Sequence, residues 1–168
     1  MNYQSNLPYP IVQVQRPNIN YAKMLMEDYA GSNSEDSAVH LYLYQSLVSN
    51  GQFQKYSDIL SHISVVEMRH LRMLGEAIKL LGLDPVFGTL PNDEIFRFWT
   101  AGNVDYTVDL KYMLQLDITG EIRAIENYER QKAVIQDQYI KGLLSRIIED
   151  EKIHLQIFKD LNKEFFGI

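Results

Sequence analysis

Residues 35–45, EDSAVHLYLYQ, and residues 120–130, GEIRAIENYER, carry one line written twice. With Glu35 laid over Glu121, the frame Glu-x-x-Ala-(Val/Ile)-x-x-Tyr comes into register. Glu35, Ala38, Val39 and Tyr42 then stand against Glu121, Ala124, Ile125 and Tyr128. Offsets of 3, 4 and 7 define one stripe of an α-helix. Each stripe opens on a carboxylate and is otherwise suited to a core, so the sequence puts a charge where apolar packing belongs.

The repeat extends further. About thirty residues after each glutamate comes Glu-x-x-His followed by leucine: VEMRHLRML at 66–74 holds Glu67, His70 and Leu71, and DEKIHLQIF at 150–158 holds Glu151, His154 and Leu155. Residues three apart on a helix share a face, so each glutamate and its histidine point at one spot. With eleven glutamates and four histidines in 168 residues, chance supplies roughly a quarter of one such motif. Two motifs, each at the same distance behind an aligned frame, describe two helical hairpins of similar plan.

The rest of the chain agrees with that plan. Residues 1–19 hold Pro8, Pro10 and Pro17 and read as an extended arm, with IVQVQ at 11–15 as an edge-strand candidate. Tyr21, Met24, Leu25 and Tyr29 form a short helical stripe, broken at Gly31; a helix restarts behind Ser32 or Ser34 as N-cap and runs to residues 49–51. The next helix spans about Phe53–Leu81 and stops at Gly82. Residues 82–104, with Pro85 and Pro91, read as a long connection with a short helix near Glu94–Trp99. A third helix runs from about Asp105 to Ile135, and Asp137 caps a fourth that reaches Phe166. The expected architecture is a four-helix bundle over residues 20–168 with one crossover and no internal strand.

Four carboxylates and two imidazoles inside a bundle need compensation, because each unpaired buried charge costs several kcal/mol or takes up a proton. Two divalent cations balance four carboxylates, and imidazole suits transition metals better than calcium or magnesium. The expected division places one ion on Glu35 and His70 and the other on Glu121 and His154. Glu67 and Glu151 bridge, with positions left open for peroxide or dioxygen. Tyr42 and Tyr128 have two readings: core packing, or a hydrogen-bonding or redox role beside the metals. Asp150 is either an acceptor for the Nδ1–H of a ligating histidine or an exposed helix acid. His40 and His62 lie about 140° from the site face and read as surface or interface residues. Glu126 and Glu129 read as a solvated flank, and Met24, Met26, Met68, Met73 and Met113 as core filling. Trp99 reads as a plug at one bundle end or an interface.

Composition narrows the function. Hydrophobic residues make up 46% and charged residues 23%, and the formal charge is −6 without a basic stripe. Nucleic acid is not an expected partner. Cysteine is absent, which removes thiolate metal sites and thiol nucleophiles. No apolar run approaches the length of a membrane span, and no signal-like N-terminus is seen, so the expected location is the cytoplasm.

On these residues the chain resembles the ferritin-like superfamily, in particular its rubrerythrin-like and manganese-catalase-like members. The resemblance covers most of the chain, from YAKMLMEDYAGSNSEDSAVHLYLYQ through VEMRHLRMLGEAIKLLGLDP to RIIEDEKIHLQIF. It implies an all-α ferritin-like four-helix bundle with a long crossover between its second and third helices. Glu35, Glu67, His70, Glu121, Glu151 and His154 map onto the six ligands of a dinuclear centre, with iron expected first and manganese as the alternative. It also implies a homodimer or larger homo-oligomer that reacts with hydrogen peroxide or dioxygen. Two departures stand out. Ala124 occupies the position where rubrerythrins carry a further acid, and the cysteine-bound rubredoxin domain is missing. A reductive peroxidase of this kind draws electrons from a separate donor protein, whereas a manganese catalase needs none. The non-enzymatic alternative is an iron-sequestering or structural coat-type bundle.

Overall fold

The computed structural model describes residues 2–91 and 95–167. Five α-helices form the four columns of a bundle. Helices α1 (Ile19–Ala30) and α2 (Glu35–Ser49) share the first column, broken at residues 31–34. Helix α3 (Gln54–Leu81) packs against both, and α4 (Leu110–Val134) pairs with α5 (Gln138–Phe166). A crossover joins α3 to α4.

The caps explain the boundaries. Asn18 accepts from the amides of Asn20 and Tyr21 to start α1, and Ser34 accepts from Ser37 to start α2. Gly82 ends α3 at φ 106°, a left-handed conformation that costs glycine little. Asp137 caps α5 through the amides of Tyr139 and Ile140. The third column starts later than the pattern suggests: Asp109 is its N-cap, accepting from Tyr112, so residues 105–109 belong to the crossover.

Three expectations are corrected. Residues 11–15 form no strand; the arm runs in extended form along the bundle, and its amides bond to side chains instead, as Gln15 N does to Asp137 at 2.6 Å. The crossover does contain strands, a two-residue antiparallel pair β1 (Gly88–Thr89) and β2 (Arg97–Phe98). The helix expected near Glu94–Trp99 is therefore replaced by strand at 97–98, and Glu94 lies outside the described residues; a 3-10 turn at Ala101–Asn103 is the helical piece observed. Met68 is exposed rather than core, whereas Met26, Met73 and Met113 are buried.

Two apolar clusters lie at opposite ends of the bundle. One joins α1 to the C-terminal half of α3 and the N-terminal half of α5, around Leu25, Leu74, Ile78, Tyr128 and Ile147. Gly75 belongs to this end, where a Cβ would stand 3.1 Å from the Tyr29 ring, so its bareness lets α1 approach α3. The other cluster joins Tyr42, Leu60, Ile63, Leu114 and Phe158. Phe158 is fully buried, and truncating it to alanine is expected to cost about 3–5 kcal/mol. The polar residues of both repeats fall between the two clusters, which hold the column centres at fixed spacing. Trp99 packs on α2 beside the His40 ring, 4.6 Å between centroids, and its Nε1–H donates to Ser37 Oγ at 2.9 Å. No helix among the described residues is long and apolar enough to cross a membrane.

Candidate metal centre

Each long column delivers its polar residues at mid-height. Glu67 and His70 come from the middle of α3, Glu121 from the middle of α4, and Glu151 and His154 from the middle of α5. Glu35 is the first residue of α2, so the break in the first column brings a helix N-terminus to the same level. All six side chains are buried, at 4% exposure or less. The reason is the stripe itself: the residues that share their faces are the apolar ones of the two clusters.

The structure brings the six together as two overlapping sets. Glu35, Glu67, His70 and Glu151 form one, and Glu67, Glu121, Glu151 and His154 the other; within each, one donor atom per residue lies within 4.8 Å of all the others. The two imidazole rings are 6.3 Å apart. His70 turns Nδ1 inward, 3.0 Å from Glu67 Oε2, 3.0 Å from Glu151 Oε1 and 3.5 Å from Glu35 Oε2. His154 Nδ1 lies 3.1 Å from Glu151 Oε2, 2.8 Å from Glu67 Oε1 and 3.9 Å from Glu121 Oε1. Glu67 and Glu151 are common to both sets.

A fit test for metal lies in these two glutamates. Glu67 Oε1 and Glu151 Oε1 are buried and accept no well-directed hydrogen bond, despite the nearby imidazoles. Buried carboxylate oxygens without a well-directed hydrogen bond are costly, and a cation between the two sets would satisfy both. The donor set of carboxylate oxygen and imidazole nitrogen matches manganese or iron.

The protein charges alone show how tightly the groups are coupled. Burial, and then the charges of Glu151 and Glu67, push Glu35 and Glu121 well above the usual carboxyl range. Burial opposes charge on the imidazoles, yet the surrounding glutamates outweigh it and push His70 and His154 well up. Glu67 and Glu151 move the other way: burial would raise them, but the two imidazoles hold them low.

The tyrosines of the repeated frame have a role that packing alone does not capture. Tyr42 donates to Glu121 Oε1 at 2.5 Å, and Tyr128 donates to Glu35 Oε1. Each repeat's tyrosine thus holds the other repeat's glutamate. Asp150 is fully buried and accepts from His70, but through Nε2 at 3.0 Å rather than Nδ1, because Nδ1 faces the cluster. His40 and His62 lie away from the cluster, as their helical angle indicates. His62 is exposed and stacks on Tyr3, 4.6 Å between centroids.

A cavity of about 280 Å³ reaches the cluster between α2 and α4. Glu35, Glu67, Glu121, Glu151, Tyr42 and Tyr128 line its inner part, and Ala38 and Ala124 also line it. Both alanines are the small residues of the repeated frame. An acid at 124 would stand in this passage.

The profile of the family described as manganese containing catalase matches residues 1–94 of the chain. The chain belongs to the manganese-containing catalase family. Residues 109–165 match a second profile, the ubiquinone biosynthesis protein COQ7. A probable manganese catalase of Clostridium acetobutylicum is 28% identical over 174 residues, covering 90% of this chain and 75% of that protein. KatB, a manganese catalase from Anabaena PCC7120, superposes with a TM-score of 0.84 at 24% identity, over 99% of this chain and 81% of KatB. The diiron bacterioferritin of Desulfovibrio desulfuricans superposes with a TM-score of 0.71 at 21% identity, over 89% of this chain and 81% of its own. The manganese catalase family and the shared fold place the chain among ferritin-like di-metal carboxylate proteins.

Several site features left no signal in the sequence analysis. Tyr9 and Arg146 both contact Asp150, and the Tyr3 carbonyl accepts from His154 Nε2 at 2.8 Å. A backbone carbonyl has no side-chain signature, and an extended arm has no periodicity from which its contacts can be read. The spacing of Arg146 and Asp150, four apart on one helix, is the one pattern from which such a contact could be read.

Proposed function

We propose that the chain disproportionates hydrogen peroxide at a dimanganese centre. Glu35 and His70 would hold one ion and Glu121 and His154 the other, with Glu67 and Glu151 available to both. The observation that carries this reading is the pair of buried glutamates, Glu67 and Glu151, shared between two matched sets of carboxylate and imidazole donors. Membership of the manganese-containing catalase family supports manganese ahead of the iron expected first.

When bound, the two ions supply the two-electron exchange by which one peroxide is reduced to two waters and a second is oxidised to dioxygen and two protons. The chain's residues govern what reaches them. The cavity admits a molecule of peroxide's size, and Glu67 and Glu151 face its inner end. Burial, followed by the carboxylates beside them, pushes Tyr42 and Tyr128 well above the ordinary phenol range. They therefore keep their protons and act as donors that hold Glu121 and Glu35 in place, not as bases. Disproportionation draws its electrons from peroxide itself, which needs no donor protein and accords with a chain lacking cysteine. Exposed apolar side chains on α2 and α3, among them Leu43, Leu47, Val65 and Met68, support assembly as a homodimer or larger oligomer, and the proposed compartment is the cytoplasm.

The test is gas evolution from protein loaded with manganese. One dioxygen per two peroxides, with no added reductant and two ions per chain by elemental analysis, is the expected result. Less than half an equivalent of metal after reloading overturns the reading. Iron-loaded protein that consumes dioxygen while the manganese form releases none would favour iron sequestration. The paired substitution Glu67→Ala with Glu151→Ala is expected to abolish metal binding in a bundle that still folds. Full stoichiometry in that variant would remove the assigned bridges.

A further inference from the structure

The two half-sites match in their ligands and differ in what stands behind them. His70 Nε2 faces Asp150 Oδ2 at 3.0 Å, an anionic acceptor. Asp150 is itself fixed on several sides: Ser5 N donates to Oδ1 at 2.7 Å, Arg146 Nη1 to Oδ1 at 2.5 Å, and the Tyr9 hydroxyl to Oδ2. The Arg146 guanidinium supplies the charge that pairs with this carboxylate. His154 Nε2 faces the neutral carbonyl of Tyr3 at 2.8 Å.

Both arrangements depend on the N-terminal arm. Arg146 donates from Nε to the Leu7 carbonyl at 2.8 Å and from Nη2 to the Ser5 carbonyl at 3.1 Å, and its guanidinium lies 3.9 Å from the centre of the Tyr9 ring. Arg69 covers the same ring at 4.9 Å and donates to Gln4 Oε1 at 3.1 Å. Tyr3 is anchored by its stacking on His62. Residues 3–9 thus form a strap that reaches the outer nitrogen of both histidines, one through Asp150 and one directly.

We propose that this strap makes the two metal positions unequal, with the Glu35–His70 position binding the first ion and the Glu121–His154 position binding the second more weakly and under control of residues 3–4. The inference rests on the proposed assignment of the six residues as a dimetal centre. Its physical basis is ligand basicity. An imidazole whose outer N–H donates to a carboxylate carries more electron density on its inner nitrogen than one donating to an amide carbonyl. Such outer partners are typically worth about 10–100-fold in metal affinity. The inner ligands are near copies, so the outer partners decide the order. Tyr9 acts here as a positioning residue, since it reaches the metals only through Asp150 and His70.

The experiment titrates metal-free, full-length protein with Mn(II), followed by calorimetry and by the electron paramagnetic resonance of bound Mn(II). Two sequential equivalents are expected, with affinities about tenfold or more apart. The isolated-ion signal should appear first and the spin-coupled pair should follow. Deleting residues 1–4 removes the Tyr3 carbonyl and is expected to weaken the second step about tenfold, with a smaller effect on the first, whose Asp150 contacts come from residues 5–9. Tyr9→Phe keeps the ring over Arg146 and removes only the hydroxyl, so it should weaken the first step several-fold and spare the second. It decides the matter if the deleted chain does not fold. Two equal affinities that neither variant alters would overturn the inference while leaving the dimetal reading intact. Failure of the wild-type chain to bind Mn(II) would overturn both.

Discussion

The Tyr42 hydroxyl donates to Glu121 Oε1 across the bundle at 2.5 Å, and Tyr128 makes the reciprocal bond to Glu35. The two copies of the frame are therefore interlocked, each supplying a carboxylate to one of the two proposed metal positions and a donor to the other. A hydrogen bond to a charged group contributes about 1.5–3 kcal/mol. Tyr42→Phe removes that donor without opening a cavity. Peroxide turnover is expected to fall by roughly ten- to a hundredfold, with the fold retained. Unchanged kcat/KM in stopped-flow oxygen evolution would reduce Tyr42 to a packing residue.

Ala38 and Ala124 face the passage to the cluster. Ala124→Leu places three further carbons there while leaving every ligand in place. We expect two bound ions as in the parent and a kcat/KM for peroxide lowered by about tenfold or more, since positioning and access act on the barrier at 1.4 kcal/mol per decade. Metal analysis beside steady-state kinetics separates the two effects; loss of metal instead of turnover would show that residue 124 supports the ligands.

Metal binding should release protons. The protein charges leave protons on His70, His154, Glu35 and Glu121, whose proton affinities are all raised, while Glu67 and Glu151 are held ionised. Coordination needs neutral imidazoles and ionised carboxylates. Protons held by these groups are therefore expected to leave as the ions bind. Affinity should accordingly fall steeply as pH is lowered. Calorimetry in buffers of differing ionisation enthalpy counts the protons directly, and fewer than two per pair would contradict the charge arrangement described.

Two buried acids outside the cluster set a different pH dependence. Burial raises Asp28 to about 7 despite the bond from Asn127, and raises Asp117 to about 7 despite the bond from Tyr56. Both folded values exceed the unfolded value of about 3.9. Their contribution to stability is thus fully present below about pH 4 and is lost as pH rises towards 7. Asp117→Asn, which keeps an acceptor for the Tyr56 hydroxyl, should stabilise the chain at pH 8 by up to about 4 kcal/mol and change little at pH 4. Urea melts at the two pH values measure this, and an equal effect at both would show that ionisation is not the cause.

The sequence by itself determined the columns and their inward residues. Helical spacing alone puts Glu67 with His70, Glu151 with His154, and each glutamate of the repeated frame with its alanine and tyrosine. Ser34, Gly82 and Asp137 marked helix boundaries because capping depends on a few local atoms. Contacts between segments distant in the chain had no such local cause. The crossing of Tyr42 to Glu121, the strands at 88–89 and 97–98, the exposure of Met68 and the burial of Asp28 and Asp117 all depend on which columns become neighbours. The arm shows this most clearly. Residues 3–9 look like an irregular leader in sequence, yet one of their carbonyls and one of their hydroxyls reach the back of the site. Only the tertiary structure decided that, because a backbone carbonyl is the same in every residue and becomes a partner only where the fold leaves an imidazole facing it.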